Sequence, residues 1–73
     1  MEFKVTIIGN CFLVEVPKLY GTSVADYLQH NNIDVYELRF PINKSNAVVY
    51  GKINYEKDLE ELVNTYKQEH GYE

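Results

Sequence analysis

The chain contains few of the features that reinforce or anchor many small proteins. Its 73 residues include a single cysteine, so no intramolecular disulfide can form. No CxxC pair and no cysteine–histidine cluster indicates a structural metal. No apolar run approaches the ~20 residues of a membrane-spanning helix. We therefore expect one globular domain over residues 1–73, held by a small hydrophobic core or reinforced by association with another chain.

Motifs for catalysis and for cofactors are also missing. His30 and His70 have no partner at the HxxxH or HExxH spacing, and no GxGxxG or phosphate-binding loop occurs. Cys11 has no adjacent cation that would activate its thiol. A domain of this size also leaves little volume for a ligand pocket of a few hundred Å³. We expect neither enzyme activity nor a cofactor nor a bound metal.

The first residues show no secretion signal. Met1 is followed at once by a charged residue and a strand-like stretch, without a basic region and an apolar region. This start predicts a cytoplasmic protein with no membrane partner.

The net charge of −4 is unevenly distributed. Acidic and basic residues balance over residues 1–53, so the excess lies in residues 54–73. The acids that open this segment are Glu56, Asp58, Glu60 and Glu61. An acidic total argues against binding to a phosphate backbone, whose affinity comes from clustered Lys and Arg. We interpret the acids as a solvated helix face that steers the chain towards a basic protein surface. Mimicry of a row of phosphates is the alternative, for which four acids are few.

Residues 3–16 predict a hairpin whose register follows from its turn. Gly9 and Asn10 separate two stretches rich in β-branched and aromatic residues, and glycine in the first position favours a type II′ turn. That turn pairs Ile8 with Cys11 and, five residues further along each strand, Phe3 with Val16. The face expected in the core then carries Phe3, Val5, Ile7, Phe12, Val14 and Val16. The opposite face carries Lys4 beside Glu15, together with Thr6, Ile8, Cys11 and Leu13. Pro17 should end the second strand.

The rest of the chain predicts a helix, two strands and a second helix. Thr22 or Ser23 is the expected cap of a first helix that ends at Asn31 and Asn32. Residues 33–40 and 47–53 are expected strands, with Phe40 opposite Ala47 and the ring of Tyr36 over Gly51. Asn54 is the expected cap of a second helix that runs to about His70, followed by Gly71. Its expected buried stripe is Tyr55, Leu59, Leu62, Val63 and Tyr66.

These elements predict an α+β fold of order ββαββα. We expect a four-stranded antiparallel sheet with both helices on its apolar face. The order of the strands within the sheet stays open, because two hairpins can meet edge to edge in more than one way.

The outward face of this sheet is the most informative feature for function. Apolar residues from all four strands are expected there, namely Ile8, Leu13, Val35, Val48 and Tyr50. A contiguous apolar patch with an exposed tyrosine is typical of a protein-binding surface. We expect this face and the four acids to form the protein-binding site of a non-catalytic protein.

The composition indicates a source. The chain is rich in Asn, Ile, Lys and Tyr, which have AT-rich codons. This favours a phage or mobile element of an AT-rich bacterium, and an inhibitor that docks on a bacterial enzyme, such as a nucleic-acid-processing or defence enzyme, and blocks it. A self-associating module that dimerises through the sheet face is the alternative. A nucleic-acid binder that stacks bases on sheet aromatics is a third hypothesis.

Overall fold

The structure, a computed structural model that describes residues 3–70, is an α+β domain with the predicted order of elements. The elements are β1 (Lys4–Ile8), β2 (Cys11–Pro17), a 3₁₀ turn (Lys18–Tyr20), α1 (Gly21–His30), β3 (Asp34–Arg39), β4 (Asn46–Lys52) and α2 (Leu59–Glu69). The four strands form one antiparallel sheet in the order β1-β2-β4-β3. Both helices pack on one face of this sheet around a single core, as predicted.

The first hairpin has the predicted register. Ile8 pairs with Cys11, and the ladder continues to Lys4 with Glu15, so the outermost predicted pair, Phe3 with Val16, lies beyond it. Gly9 has φ +60° whereas Asn10 does not take a positive φ, which fits a type II′ turn. The predicted core face of β2 is buried throughout. β2 ends at Pro17, as expected.

The second hairpin differs from the prediction because β3 contains a bulge. Leu38 pairs with Val49 as expected, but the register shifts between Val35 and Glu37. Val35 therefore lies opposite Gly51, and Tyr36, predicted to cover that glycine, is 62% exposed. Gly51 is covered instead by the ring of Phe12 from β2.

The end of β3 also departs from the prediction. The strand stops at Arg39, so the predicted pair of Phe40 and Ala47 lies beyond the ladder between β3 and β4. Phe40, expected in the core, is about half exposed. Beside the loop the register is the predicted one, since Leu38 pairs with Val49 and Arg39 with Val48; the shift arises only at the bulge between Val35 and Glu37.

Helix α1 begins earlier than predicted. It continues from the 3₁₀ turn and starts at Gly21, without a side-chain cap from Thr22 or Ser23. The hydroxyl of Ser23 instead accepts a hydrogen bond from Tyr66 Oη at 2.9 Å, which links the two helices. The predicted end is correct, since Asn32 takes the left-handed conformation with φ +64°.

Helix α2 begins later than predicted. Asp58 is its cap and accepts a hydrogen bond from the backbone N–H of Glu61 at 3.2 Å. Asn54, the predicted cap, folds a turn in which its side chain accepts from Glu56 N and donates to Asn32 O. Residues 54–58 are therefore a loop. Gly71, predicted to follow the helix, lies outside the described residues.

The core is a single apolar cluster between the sheet and the helices. Its buried members are Phe12, Val14, Val16, Val24, Ala25, Leu28, Ile33, Ala47, Val49, Leu59, Val63 and Tyr66. Tyr66 stands at the centre of an aromatic group, with ring centroids 5.4 Å from Tyr27 and 5.9 Å from Phe3. This core lies on one side of the sheet. Within residues 3–70, neither helix covers the other side.

Candidate protein-binding surface

The free side of the sheet, called the outer face here, presents three rows of cross-strand neighbours. The first row is Lys4, Glu15, Val48 and Arg39; the second is Thr6, Leu13, Tyr50 and Glu37; the third is Ile8, Cys11, Lys52 and Asp34. These residues alternate with the buried ones along each strand, so their side chains point away from the helices. Cations and anions are equal in number across the rows.

Four of the five predicted apolar site residues lie on the outer face, and three of them, Leu13, Val48 and Tyr50, form its apolar centre. Leu13 and Tyr50 are direct cross-strand partners, and Val48 lies beside them; all three are half-buried. Ile8 lies at the hairpin end and is 67% exposed. Such a patch, bordered by charged side chains, has the composition of a protein contact surface.

Val35 does not belong to this patch, and its predicted orientation is wrong. The side chain packs against the hydrophobic core opposite Gly51. The cause is the bulge at Tyr36, because one extra residue in a strand reverses the face of every residue on one side of it.

A cation is held against the aromatic centre. Arg39 Nε donates a hydrogen bond of 2.8 Å to Glu37 Oε2, and the guanidinium carbon lies 5.5 Å from the centroid of the Tyr50 ring. The hydrogen bond and the charge of Glu37 raise the pKa of Arg39, so this cation persists at any physiological pH. A partner therefore meets a tyrosine ring already covered on one side by arginine, the two residue types most enriched at binding hot spots.

A groove of about 580 Å³ lies at the hairpin end of the sheet, on the helix side. This volume is larger than the sequence led us to expect. Its apolar lining is Ile7, Phe12, Ile33, Ile53, Tyr55 and Leu59, and its polar lining is Lys52, Asn54, Glu56, Lys57, Asp58 and Glu60. Ile7, predicted in the core, is 55% exposed because the groove leaves it uncovered.

Two hydrogen bonds tie the loop before α2 to the turn of the first hairpin. Tyr55 Oη donates to Asn10 Oδ1 at 2.7 Å, and Ile53 N donates to Asn10 O at 2.7 Å. Tyr55, predicted in the buried helix stripe, is instead 77% exposed beside the groove. The exposed side chains of Ile7 and Ile8 thus lie at one end of the molecule, on opposite faces of the same strand.

The predicted acidic residues lie at this same end but do not form one helix face. Glu56 is in the loop, Asp58 caps α2, and Glu60 and Glu61 occupy its first turn. The first three line the groove. The expectation that all four acids lie within the helix is therefore wrong, since α2 begins only at Leu59. The negative charge instead borders Ile7, which lines the same groove.

A pattern in the sequence does indicate that Tyr55 lies outside the helix. Asp58 is followed three residues later by Glu61, the spacing of a capping box, which places the start of the helix after Tyr55. For Ile7 no such signal exists. Alternation along the strand assigns its face, but only the packing of α2 decides how far that face is covered.

The other side chains that could react or bind a metal are one cysteine and two histidines. Cys11 is exposed on the outer face. Each histidine is engaged at the end of its own helix, His30 Nδ1 with Asp26 O at 2.7 Å and His70 Nδ1 with Tyr66 O at 2.9 Å. Within residues 3–70, no three His, Cys, Asp or Glu side chains are grouped closely enough to hold a metal ion. Neither α1 nor α2 is long and apolar enough to cross a membrane.

The chain matches no known protein family, and no curated protein and no solved structure is significantly similar to it. The outer face and the groove are therefore the basis for a functional assignment.

Proposed function

We propose that this protein is a non-catalytic docking module that binds another protein through its outer face. The observation that carries the proposal is the apolar centre formed by Leu13, Val48 and Tyr50, with Ile8 exposed beside it. Both helices pack on the opposite side of the sheet, and no other element of residues 3–70 lies over this centre. Burial of these side chains in a complex releases water from apolar surface, which supplies the main driving force for association.

The chemistry of the surface describes the partner. An apolar patch on the partner would meet Leu13 and Tyr50. A basic margin would meet the acids that line the groove beside Ile7, namely Glu56, Asp58 and Glu60. The net charge of −4 favours a basic partner and speeds the encounter.

The docking acts by steric or competitive block of a bacterial enzyme, such as a nucleic-acid-processing or defence enzyme, and the protein works in the cytoplasm. Support for a phage or mobile-element source is the abundance of residues with AT-rich codons. For a chain of 73 residues, occupation of a surface on the target is the simplest means of inhibition.

The test compares three forms of the chain as bait in a bacterial lysate. The first is wild type. The second, L13D/Y50D, places two charges in the apolar centre. The third, L19D/I42D, is the matched control, since Leu19 and Ile42 are almost fully exposed and lie outside the strands. Thermal unfolding followed by circular dichroism verifies that each form is folded.

A captured protein is then purified, and its affinity for each form is measured by calorimetry. We expect L13D/Y50D to weaken binding at least a hundredfold, because truncation of two central contacts each costs ~2 kcal/mol or more. The control should bind as wild type does, and the partner's activity should fall when wild type is added. Equal binding by all three forms would contradict the proposal.

A homodimer through the same face is the second candidate. The equal numbers of cations and anions on the outer face favour it, because a two-fold interface must be complementary to itself. In that case wild type alone doubles its mass with concentration, and L13D/Y50D stays monomeric.

A further inference from the structure

The end of the sheet opposite the groove exposes three large apolar side chains that lie outside the strands. Leu19 of the 3₁₀ turn is 86% exposed, and Ile42 of the connection between β3 and β4 is 91% exposed. Phe40, in the same connection, is about half exposed. We call this surface the loop end and define it by residues 18–20 and 40–45. Several large apolar side chains exposed at one end form a surface that a partner can cover.

The two segments of the loop end are fixed to each other. Lys18 N donates a hydrogen bond of 3.2 Å to Ser45 O. The ring of Phe40 lies against Gly21, where a Cβ atom would be 3.1 Å from Phe40 Cε1. Leu19 stands in the sequence between these two contacts. The turn and the connection are therefore held together and can meet one surface at the same time.

The loop end carries cations and no acids. Lys18 and Lys44 are exposed, and neither segment contains Asp or Glu. Helix α1 begins directly after the 3₁₀ turn and has no acid in its first turn, so the positive end of its dipole lies here without a compensating charge. The surface is therefore positive, although the whole chain has a net charge of −4.

This positive charge is separated from the acids of the chain. Glu15 and Glu37, in the adjoining strands, are opposed by Lys4 across the ladder and by Arg39 at 2.8 Å. The acids of residues 56–60 line the groove at the other end of β4, a distance of roughly 20 Å for a strand of this length. The molecule is therefore polarised along the sheet, with its positive end at the exposed apolar side chains.

We propose that the loop end binds the surface of a membrane that contains anionic phospholipids. Leu19 and Ile42 enter the boundary between headgroups and acyl chains, and Lys18 and Lys44 lie beside the phosphates. From the sequence we expected no membrane partner, but peripheral contact needs neither a secretion signal nor a spanning helix. In this orientation the acids of residues 56–60 lie away from the membrane, so they do not oppose binding.

The shape of the loop end favours a lipid surface over another protein. The side chains of Leu19 and Ile42 stand almost free of the rest of the chain, whereas Leu13 and Tyr50 of the outer face are half-buried. A partner protein would need a close-fitting pocket for each protruding side chain, because protein interfaces are packed as densely as protein interiors. Fluid acyl chains fill the space around any such side chain.

The test is co-sedimentation of the full chain with lipid vesicles. One set of vesicles contains equal amounts of phosphatidylglycerol and phosphatidylcholine, and the other contains phosphatidylcholine alone. Four forms are compared: wild type, L19D/I42D, K18E/K44E and, as the matched control, L13D/Y50D. We expect wild type and L13D/Y50D to bind the anionic vesicles equally well, and both to bind the neutral vesicles at least tenfold more weakly.

The two loop-end variants should lose binding for different reasons. Each lysine near an anionic surface strengthens binding about fivefold, so K18E/K44E should weaken it at least tenfold. L19D/I42D should weaken binding by at least the same factor, because it removes apolar surface and brings two charges to the membrane. The described hydrogen bonds of both lysines are made by their backbone N–H groups, which the substitutions retain. Circular dichroism verifies that each form is folded.

A second measurement locates the contact. The chain has no tryptophan, so one introduced by substitution reports only its own surroundings. The fluorescence of L19W should shift to shorter wavelength when anionic vesicles are added, because the indole enters an apolar environment. I8W, at the hairpin end of the sheet, should show no shift.

Four results would overturn the proposal. They are a wild type that does not bind anionic vesicles, equal binding to neutral ones, binding that L19D/I42D retains, and a shift in I8W without one in L19W. A captured acidic protein that L19D/I42D fails to bind would, in the absence of vesicle binding, assign the loop end to a protein. The vesicle assays contain no protein partner and calorimetry of the docking complex contains no lipid, so either proposal can fail without the other.

Discussion

Replacement of Gly51 by alanine tests the most closely packed point of the sheet. Gly51 lies in the central strand β4, between Phe12 of β2 and Val35 of β3. A Cβ atom at this position would lie 2.5 Å from Phe12 Cζ and would also meet the carbonyl oxygen of Asp34. Real Cβ atoms do not approach other heavy atoms so closely, so both neighbours must move.

The cost of these movements is estimated from each neighbour. Phe12 is 2% exposed and enclosed by the core, so displacement of its ring costs about 1–3 kcal/mol by overpacking. The oxygen of Asp34 belongs to the backbone of β3, and its displacement weakens the ladder between β3 and β4 by roughly 1 kcal/mol for each hydrogen bond lost. A total near 3 kcal/mol is comparable with the ~3–5 kcal/mol that a core of this size supplies. We expect G51A to retain at most about 2 kcal/mol of stability and to unfold at a much lower urea concentration than wild type.

Gly9 provides the matched control for the same chemical change. It has φ +60°, and a Cβ there would meet nothing within 4 Å. G9A should therefore cost only the conformational strain, about 1 kcal/mol. The assay is urea unfolding followed by far-ultraviolet circular dichroism at 25 °C. A G51A transition at the same urea concentration as that of G9A, or a higher one, would refute the packing of Phe12 over Gly51.

Three further predictions concern single interactions. Y66F and S23A should each lower the free energy of unfolding by about 1 kcal/mol. The double variant should lose no more than Y66F alone, because both substitutions remove the same hydrogen bond. Additive losses in the double variant would contradict this hydrogen bond. D58A should cost about 1 kcal/mol in urea unfolding through loss of the α2 cap, whereas D58N should retain most of the stability; equal losses in both would argue against capping. Burial, with a smaller contribution from the charge of Glu69, raises the pKa of Tyr27, so ionisation is less favourable in the folded chain and stability falls as pH rises above about 10. Y27F should lose less stability than wild type between about pH 8 and pH 11, and an equal loss would contradict the assignment.

Much of the fold was predictable because its signals are local. The register of the first hairpin follows from the turn at Gly9 and Asn10 and from alternation along the strands, and the structure has that register. The end of α1 at Asn32 is likewise a local conformational preference. Each of these features depends on residues within a few positions of one another, where the chain has few alternatives.

The candidate site was predicted only in part. Ile8, Leu13, Val48 and Tyr50 share the outer face as expected, since each follows from strand alternation. Val35 does not, because the bulge that reverses it arises from how β3 fits against β4.

The acids and the groove also depended on packing. Glu56 and Asp58 were assigned to a helix that in fact starts at Leu59, and the groove was not expected. Residues 52–60 supply most of its lining, but Ile7, Phe12 and Ile33 are distant in the sequence, and only the folded sheet brings them beside that segment.

Local sequence patterns are sufficient to predict the class of fold, the first hairpin and the two faces of its strands. These depend on alternation, turn chemistry and helical spacing, which act over a few residues. Tertiary packing sets the strand order β1-β2-β4-β3, the bulge at Tyr36 and the ring that covers Gly51. Those choices minimise voids and overlaps among side chains that are distant in sequence, so they depend on the packing of the whole core. The exposure of Ile7 results from the same packing, and the groove that Ile7 lines depends on it.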